Sequence, residues 1–272
     1  MPAIYAHYRM GQEVRKQLKG IAAQAVEAYP QPYLIGLHGP DILFYYKPLG
    51  GGEINREGAL MHDRSGRCFF ERAAKIIREG EASDRLAYLS YTYGFICHFA
   101  LDVSCHGYIA QKEKSGITHS EIESEFDREL MVMDGLDPVS HRLTDHLVAS
   151  LENGRIIAPF YSVPMQPEDI RKAIKGMIFY SGVFLAPGRA KRGLVDLALR
   201  LSGHYQWLHG LMINYEKNPA CDDSCKKLLE LYGKAQVLAT RLIAEYEDYL
   251  EGKHPLDGIY EYNFESELPV GA

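Results

Sequence analysis

Leu228-Leu-Glu-Leu-Tyr232-Gly-Lys-Ala235-Gln-Val-Leu-Ala239-Thr-Arg-Leu242-Ile-Ala-Glu-Tyr246-Glu-Asp-Tyr249 is the stretch on which the fold class turns. From Leu228, apolar residues recur at Tyr232, Ala235, Ala239, Leu242, Tyr246 and Tyr249, in alternating steps of four and three. Those steps follow the turn of an α-helix and lay the apolar side chains along one stripe. Asp222 or Asp223 can cap the start. Similar patterns cover about Gln12–Ala28, Glu57–Arg78, Asp84–Lys112, Thr118–Met133, Ser140–Glu152, Pro167–Leu185 and Arg189–Lys217. Breaks fall where Pro and Gly collect, as in Tyr29-Pro-Gln-Pro32 and Pro48-Leu-Gly-Gly-Gly52. Strand-type alternation is hard to find. The expected fold is all-α, a single multi-helix domain over residues 1–250. Residues 251–272 form a C-terminal extension expected to wrap the surface or fray.

The chain has 272 residues, 46% hydrophobic and 24% charged, as in an ordinary globular protein. Its net charge of −6 gives no support to a broad nucleic-acid surface, which needs a basic field, so no extended nucleic acid is expected. The longest stretch free of Asp, Glu, Lys and Arg is Leu86–Leu101. It is short of the ~20 apolar residues a spanning helix needs and reads as a buried helix. The N-terminus has no apolar signal region. Cys68, Cys97, Cys105, Cys221 and Cys225 are expected to be reduced thiols in a cytoplasmic protein.

Chemistry concentrates in Phe95-Ile-Cys-His98-Phe-Ala-Leu-Asp102-Val-Ser-Cys-His106. On a helix, His98, Asp102 and His106 lie on one face about a turn apart, with a carboxylate between two imidazoles. Thr118-His119-Ser-Glu121 fits a capping box, so a helix starts at Thr118 and puts His119 and Glu123 on one face. Upstream lie His7, His38, Asp41 and the pair His62-Asp63. Taken singly, a His-x-x-x-Asp pair belongs to a hydrogen-bonded core and His119/Glu123 to a solvated helix face. In combination they point elsewhere. Asp102 falls in the most apolar helix of the chain, where an unpaired carboxylate is costly, and further ligand types stand nearby at helix spacing. Imidazoles mixed with carboxylates suit zinc, iron or manganese rather than calcium or magnesium. There is no His-Glu-x-x-His, no phosphate-binding Gly-x-x-x-x-Gly-Lys loop and no Gly-x-Ser-x-Gly elbow.

The ordered set His7, Asp41, His62, His98-x-x-x-Asp102, His106, His119-x-x-x-Glu123 resembles the zinc-dependent phospholipase C family, which is similar in fold to the fungal single-strand nucleases. The resemblance covers roughly the first 130 residues and implies an all-helical enzyme holding two or three zinc ions. It implies that His62, His98 and Asp102 hold one zinc, with Asp41 beside it as ligand or as base for the attacking water. His106, His119 and Glu123 would hold a second, and His7, with Asp102 bridging, a third. Two features depart from the pattern. The secreted members begin with a Trp whose amino group and carbonyl ligate metal, whereas this chain begins Met1-Pro2-Ala3, which leaves open whether Met1 or Pro2 ligates. The spacing Asp102-x-x-x-His106 is tighter than in the secreted phospholipases and looks more like the amino-terminal domain of glycosylphosphatidylinositol-specific phospholipase D.

The implied function is zinc-dependent phosphoester hydrolysis, a phospholipase C-like phosphodiesterase using a metal-activated water, with Asp41 the candidate catalytic residue. The substrate would be a phosphodiester or phospholipid. A lipid substrate requires an apolar rim or interfacial face, and Tyr33, Phe44, Tyr45 and Tyr46 flank Asp41 as cleft-mouth or core residues. An apolar helix face would permit a homodimer. Two other readings stand beside this one. An HD-type metal phosphohydrolase would use His38, His62, Asp63 and Asp127, and leaves His98, Asp102 and His106 without a role. A metal-stabilised helical binding protein would retain metal without turnover.

Overall fold

The charge-free stretch Leu86–Leu101 lies inside one 29-residue helix, Arg85–Glu113, and nearly every residue of that stretch is buried. A helical stretch buried on all sides is a core element, and the other helices assemble around it. In chain order they are α1 (Ile4–Arg15), α2 (Gly20–Ala28), α3 (Pro30–Gly36), a 3-10 turn (Gly39–Tyr45), α4 (Glu53–Asp63), α5 (Gly66–Glu79), α6 (the central Arg85–Glu113), α7 (His119–Met133), α8 (Leu151–Ile157), α9 (Pro167–Phe184), α10 (Arg189–Leu201) and α11 (Asp222–Leu250). This computed structural model describes residues 4–48, 51–203 and 209–269, and no strand occurs among them. The all-α class expected from the periodicity is the fold. No helix among the described residues is long and apolar enough to cross a membrane. The metal-ligating roles considered for Met1 and Pro2 lie outside the described residues.

α11 presents Leu228, Tyr232, Ala235, Ala239, Leu242 and Tyr246 to the core, the stripe read from the sequence. α3 crosses α6 backbone to backbone. A Cβ on Gly94 would stand 2.1 Å from the Tyr33 carbonyl oxygen, and one on Gly36 2.4 Å from that of Tyr91. Only glycine permits this approach, and it brings the chain after α3 onto the polar face of α6. The Tyr33 hydroxyl donates to the Gly11 carbonyl (2.7 Å), tying α3 to α1.

Several expected helices are shorter or divided. Gln12–Ala28 breaks between α1 and α2, where Gly20 takes φ +58°. Glu57–Arg78 breaks at Arg64 and Ser65, and the Ser65 hydroxyl caps α5 by accepting from Arg67 N. Ser140–Glu152 is mostly turns. The Asp137 carboxylate accepts from Val139 N and the Ser140 hydroxyl there, and such local bonds compete with helix. α8 starts only at Leu151, after Ser150 as cap. α10 ends at Leu201 rather than Lys217, and Gly203 at φ +76° turns the chain away; residues 204–208 of that expected helix lie outside the described residues. The C-terminal segment packs inward, with Tyr260 and Phe264 buried. All five cysteines are free thiols.

Candidate metal centre

The i, i+4, i+8 spacing on α6 does what helix geometry requires, aligning His98, Asp102 and His106 along one face. Around that face α1 brings His7, the 3-10 turn brings Asp41, α4 brings His62, and α7 brings His119 and Glu123. The central group is Asp102. Its Oδ1 is 3.2 Å from His7 Nε2 and 3.7 Å from His106 Nε2, and its Oδ2 is 3.0 Å from His98 Nε2. To one side, His62 Nε2 lies 3.0 Å from Asp41 Oδ1. To the other, Glu123 stands 3.4 Å from His106 Nε2 and 3.2 Å from His119 Nε2.

Ligand atoms fall into three groups, each within 4.8 Å: His7, His98 and Asp102; Asp41, His62 and His98; His106, His119 and Glu123. All eight residues singled out from the sequence are thus brought together. The grouping differs in one respect from the set the resemblance implies. Asp41, rather than Asp102, completes the set with His62 and His98, and His98 is shared between two groups.

Ring orientation comes from outside these groups. His98 Nδ1 meets the Leu37 carbonyl (3.2 Å), His62 Nδ1 that of Gly58 (2.8 Å) and His106 Nδ1 that of Phe264 (2.7 Å). A carbonyl only accepts, so each Nδ1 carries a proton and each Nε2 faces inward. This is the arrangement that fixes the tautomer of metal-binding histidines. His98 is fully buried, and its Nε2 makes no hydrogen bond despite the nearby carboxylate. His7 Nδ1 is likewise buried without a hydrogen bond.

The electrostatics are those of a site built for cations. Asp41, Asp102 and Glu123 are all buried, and with neutral imidazoles they leave three negative charges away from water. Burial pushes the Asp102 carboxyl up, but His98, His106 and His7 outweigh it and hold the group well below the carboxylate range. Glu123 is held down against the same burial by His119 and His106. Burial pulls the His106 imidazole down, yet the Asp102 and Glu123 carboxylates drive it up to about 10. In the metal-free protein, protons on imidazoles therefore balance charge that divalent ions can balance instead. The donor set of nitrogens and carboxylate oxygens, with inward-facing Nε2 atoms, fits zinc.

Phe264 was not singled out from the sequence, and Asp127 was considered there only as a ligand of the HD-type set. Phe264, from the segment expected to wrap or fray, supplies the carbonyl for His106 and sets its ring 5.6 Å from His62 and 5.9 Å from His98. Asp127 accepts from Tyr5 N (2.9 Å) and Ala6 N (2.8 Å), anchoring the start of α1 and so placing His7. Its position four residues after Glu123 on the inward face of α7 was the available signal. The HD-type set does not assemble. Asp127 serves α1, His38 Nε2 lies 2.8 Å from His146 Nε2, and none of His38, Asp63 and Asp127 joins a metal-capable group among the described residues. Near Asp41, Tyr33 and Tyr45 are core, whereas Phe44 leans on His62 at 5.3 Å. The Thr118 hydroxyl caps α7 by accepting from Glu121 N, but the Glu121 carboxylate accepts from Asn218 Nδ2 instead of closing a capping box.

The sequence model of the zinc dependent phospholipase C family matches residues 6–175, an interval that contains all eight of these residues. No curated protein and no solved structure matches the chain. More than half of the chain fits the family model, over an all-helical fold with His and carboxylate groups suited to metal, and the chain belongs to the zinc-dependent phospholipase C family.

Proposed function

We propose that this protein is a phosphodiesterase of phospholipase C type that cleaves a phospholipid by attack of water on phosphorus, using zinc held at the three groups. The observation that carries the reading is the junction at His98 and Asp102, which ties the groups into one buried array. Bound zinc would supply the positive charge that acidifies a water and neutralises phosphoryl oxygens. His98 has one free nitrogen and would join one ion only, with Asp41 and His62 or with Asp102 and His7; the remaining pair, and the set His106, His119 and Glu123, would hold the others.

The chain's own groups have definite tasks in this reading. His62, His98 and His106 hold their Nδ1 protons on backbone carbonyls and aim Nε2 inward, so no ring has to turn to bind metal. Phe44 and Phe264 flank His62 with apolar surface and limit water around it. Asp41 either ligates or accepts the proton of the attacking water.

Elemental analysis of untagged protein should find about two to three zinc ions per chain. Zinc-loaded protein should release diacylglycerol from phosphatidylcholine and cleave a soluble phosphodiester. Asp102→Asn should lose both metal and turnover. Asp41→Asn separates that residue's two roles, since metal retained with lost turnover assigns the base. No stoichiometric metal after zinc reconstitution overturns the proposal.

A further inference from the structure

We propose that the outer face of α10, together with Phe179 of α9, docks on an anionic phospholipid surface. α10 is apolar on two opposite sides. Its inner stripe, Val195 and Leu199, packs with Phe184, Ala186 and Met212. At 100° per residue, Leu194, Leu197 and Leu201 lie on the far side, and they are 69%, 53% and 80% exposed. Phe179 on the neighbouring helix is 63% exposed. One buried stripe is enough to hold a helix on a core, and the second leaves three leucines largely exposed to water among the described residues.

Charge identifies the occupant. Residues 167–201 carry seven cations (Arg171, Lys172, Lys175, Arg189, Lys191, Arg192, Arg200) and three anions (Glu168, Asp169, Asp196), a net charge of 7 − 3 = +4 on a chain of −6. Arg189 and Arg200 are exposed beside the leucine stripe, as Lys172 and Lys175 are on the face of Phe179. A basic helix with a leucine face is the pattern of segments that lie in a lipid interface, whereas a second copy of this basic face would meet repulsion.

The position also suits the proposed chemistry. A small cleft of about 40 Å³ is lined by Arg192 of α10 and by Phe184 and Ile213, and it reaches Ile4 and Tyr45. Ile4 precedes His7 by three residues on α1, and Tyr45 closes the turn that carries Asp41. The cleft thus joins the inner side of α10 to the elements that bear His7 and Asp41. The inference extends the proposed phospholipid hydrolysis to its interface, but the binding itself is read without turnover.

Zinc-loaded protein should co-sediment with vesicles of equimolar phosphatidylcholine and phosphatidylglycerol, more weakly with phosphatidylcholine alone, and less at high salt. The triple variant L194S/L197S/L201S should lose at least about ten-fold in vesicle affinity, because the apolar contact is gone. R189E and R200E should each weaken it about five-fold. Zinc content and hydrolysis of a soluble phosphodiester should be unchanged in all three, which also shows that they fold. Vesicle binding without any phosphoester hydrolysis would support the docking face while refuting the chemistry. Soluble-phosphodiester turnover without vesicle binding, undiminished binding by the triple variant, or a wild-type dimer that this variant dissociates would each overturn the docking face.

Discussion

Gly39→Ala should weaken metal binding at the groups that share His98 without replacing any candidate ligand. Gly39 opens the 3-10 turn that carries Asp41 and sits at φ +47°. A Cβ there would lie 2.1 Å from His98 Cδ2 and 2.6 Å from His98 Nε2. Ordinary contact begins near 3.4 Å, so the ring must retreat by about 1.3 Å, or the turn must lift by as much. The ring cannot give cheaply. It is fully buried, stacked on His7 at 4.3 Å and held by the Leu37 carbonyl. Metal sites tolerate shifts of about 0.2 Å in ligand distance, so the displaced His98 would fail both groups that share it. The left-handed backbone adds about 1–2 kcal/mol for a residue with a Cβ. Zinc affinity should fall by more than the ~10–100-fold that loss of an outer hydrogen bond costs. Gly20→Ala is the control, because Gly20 has φ +58° and nothing within 4 Å of its Cβ position. It should pay only the backbone penalty and keep its zinc. Chelator competition and elemental analysis read the first effect, thermal unfolding the second. If Gly39→Ala holds zinc as tightly as Gly20→Ala does, the convergence at His98 is not what binds metal.

Asp127→Ala leaves the Tyr5 and Ala6 amides without an acceptor and should destabilise the protein by about 1–3 kcal/mol per unsatisfied group, measurable by urea unfolding. Zinc at His106, His119 and Glu123 should persist, whereas an Asp127 that ligates metal would lose it. The metal-free protein should lose stability as pH rises. His106 in the folded state is raised from 6.5 to about 10, so its contribution is complete below about 6.5 and disappears as pH passes 10. Zinc displaces that proton, so binding near pH 7 should release protons to the buffer, and calorimetry in buffers of different ionisation enthalpy that finds none would refute the assignment. Phe264→Ala should cost about 3–5 kcal/mol for a buried aromatic and also weaken zinc binding by loosening the carbonyl that orients His106; unchanged zinc affinity would confine Phe264 to packing.

Much of this centre follows from local geometry and could be read from the chain. An i, i+4, i+8 series on a helix is aligned whatever surrounds it, so His98, Asp102 and His106 share a face by rule, as do His119 and Glu123. The helical class follows from the apolar period, and α6 declares itself buried by carrying no charge over sixteen residues, Leu86–Leu101. The breaks at Gly20 and Ser65 were less legible. Periodicity continues across them, and only packing decides that the chain turns there.

Convergence is what the sequence by itself left undecided. His7, Asp41 and His62 lie on separate elements, and nothing in their spacing says that they meet over α6. Their meeting depends on the glycine contact of α3 with α6, on the cradle Gly39 leaves for His98, and on Asp127 reaching the amides of α1. The inward aim of three imidazoles depends on carbonyls of Leu37, Gly58 and Phe264, the last 158 residues from its histidine. Backbone carbonyls are common to every residue type, so no residue code marks which one will accept. Local periodicity therefore determined which residues could act together on one helix, and tertiary packing alone decided which helices bring theirs to the same few ångströms.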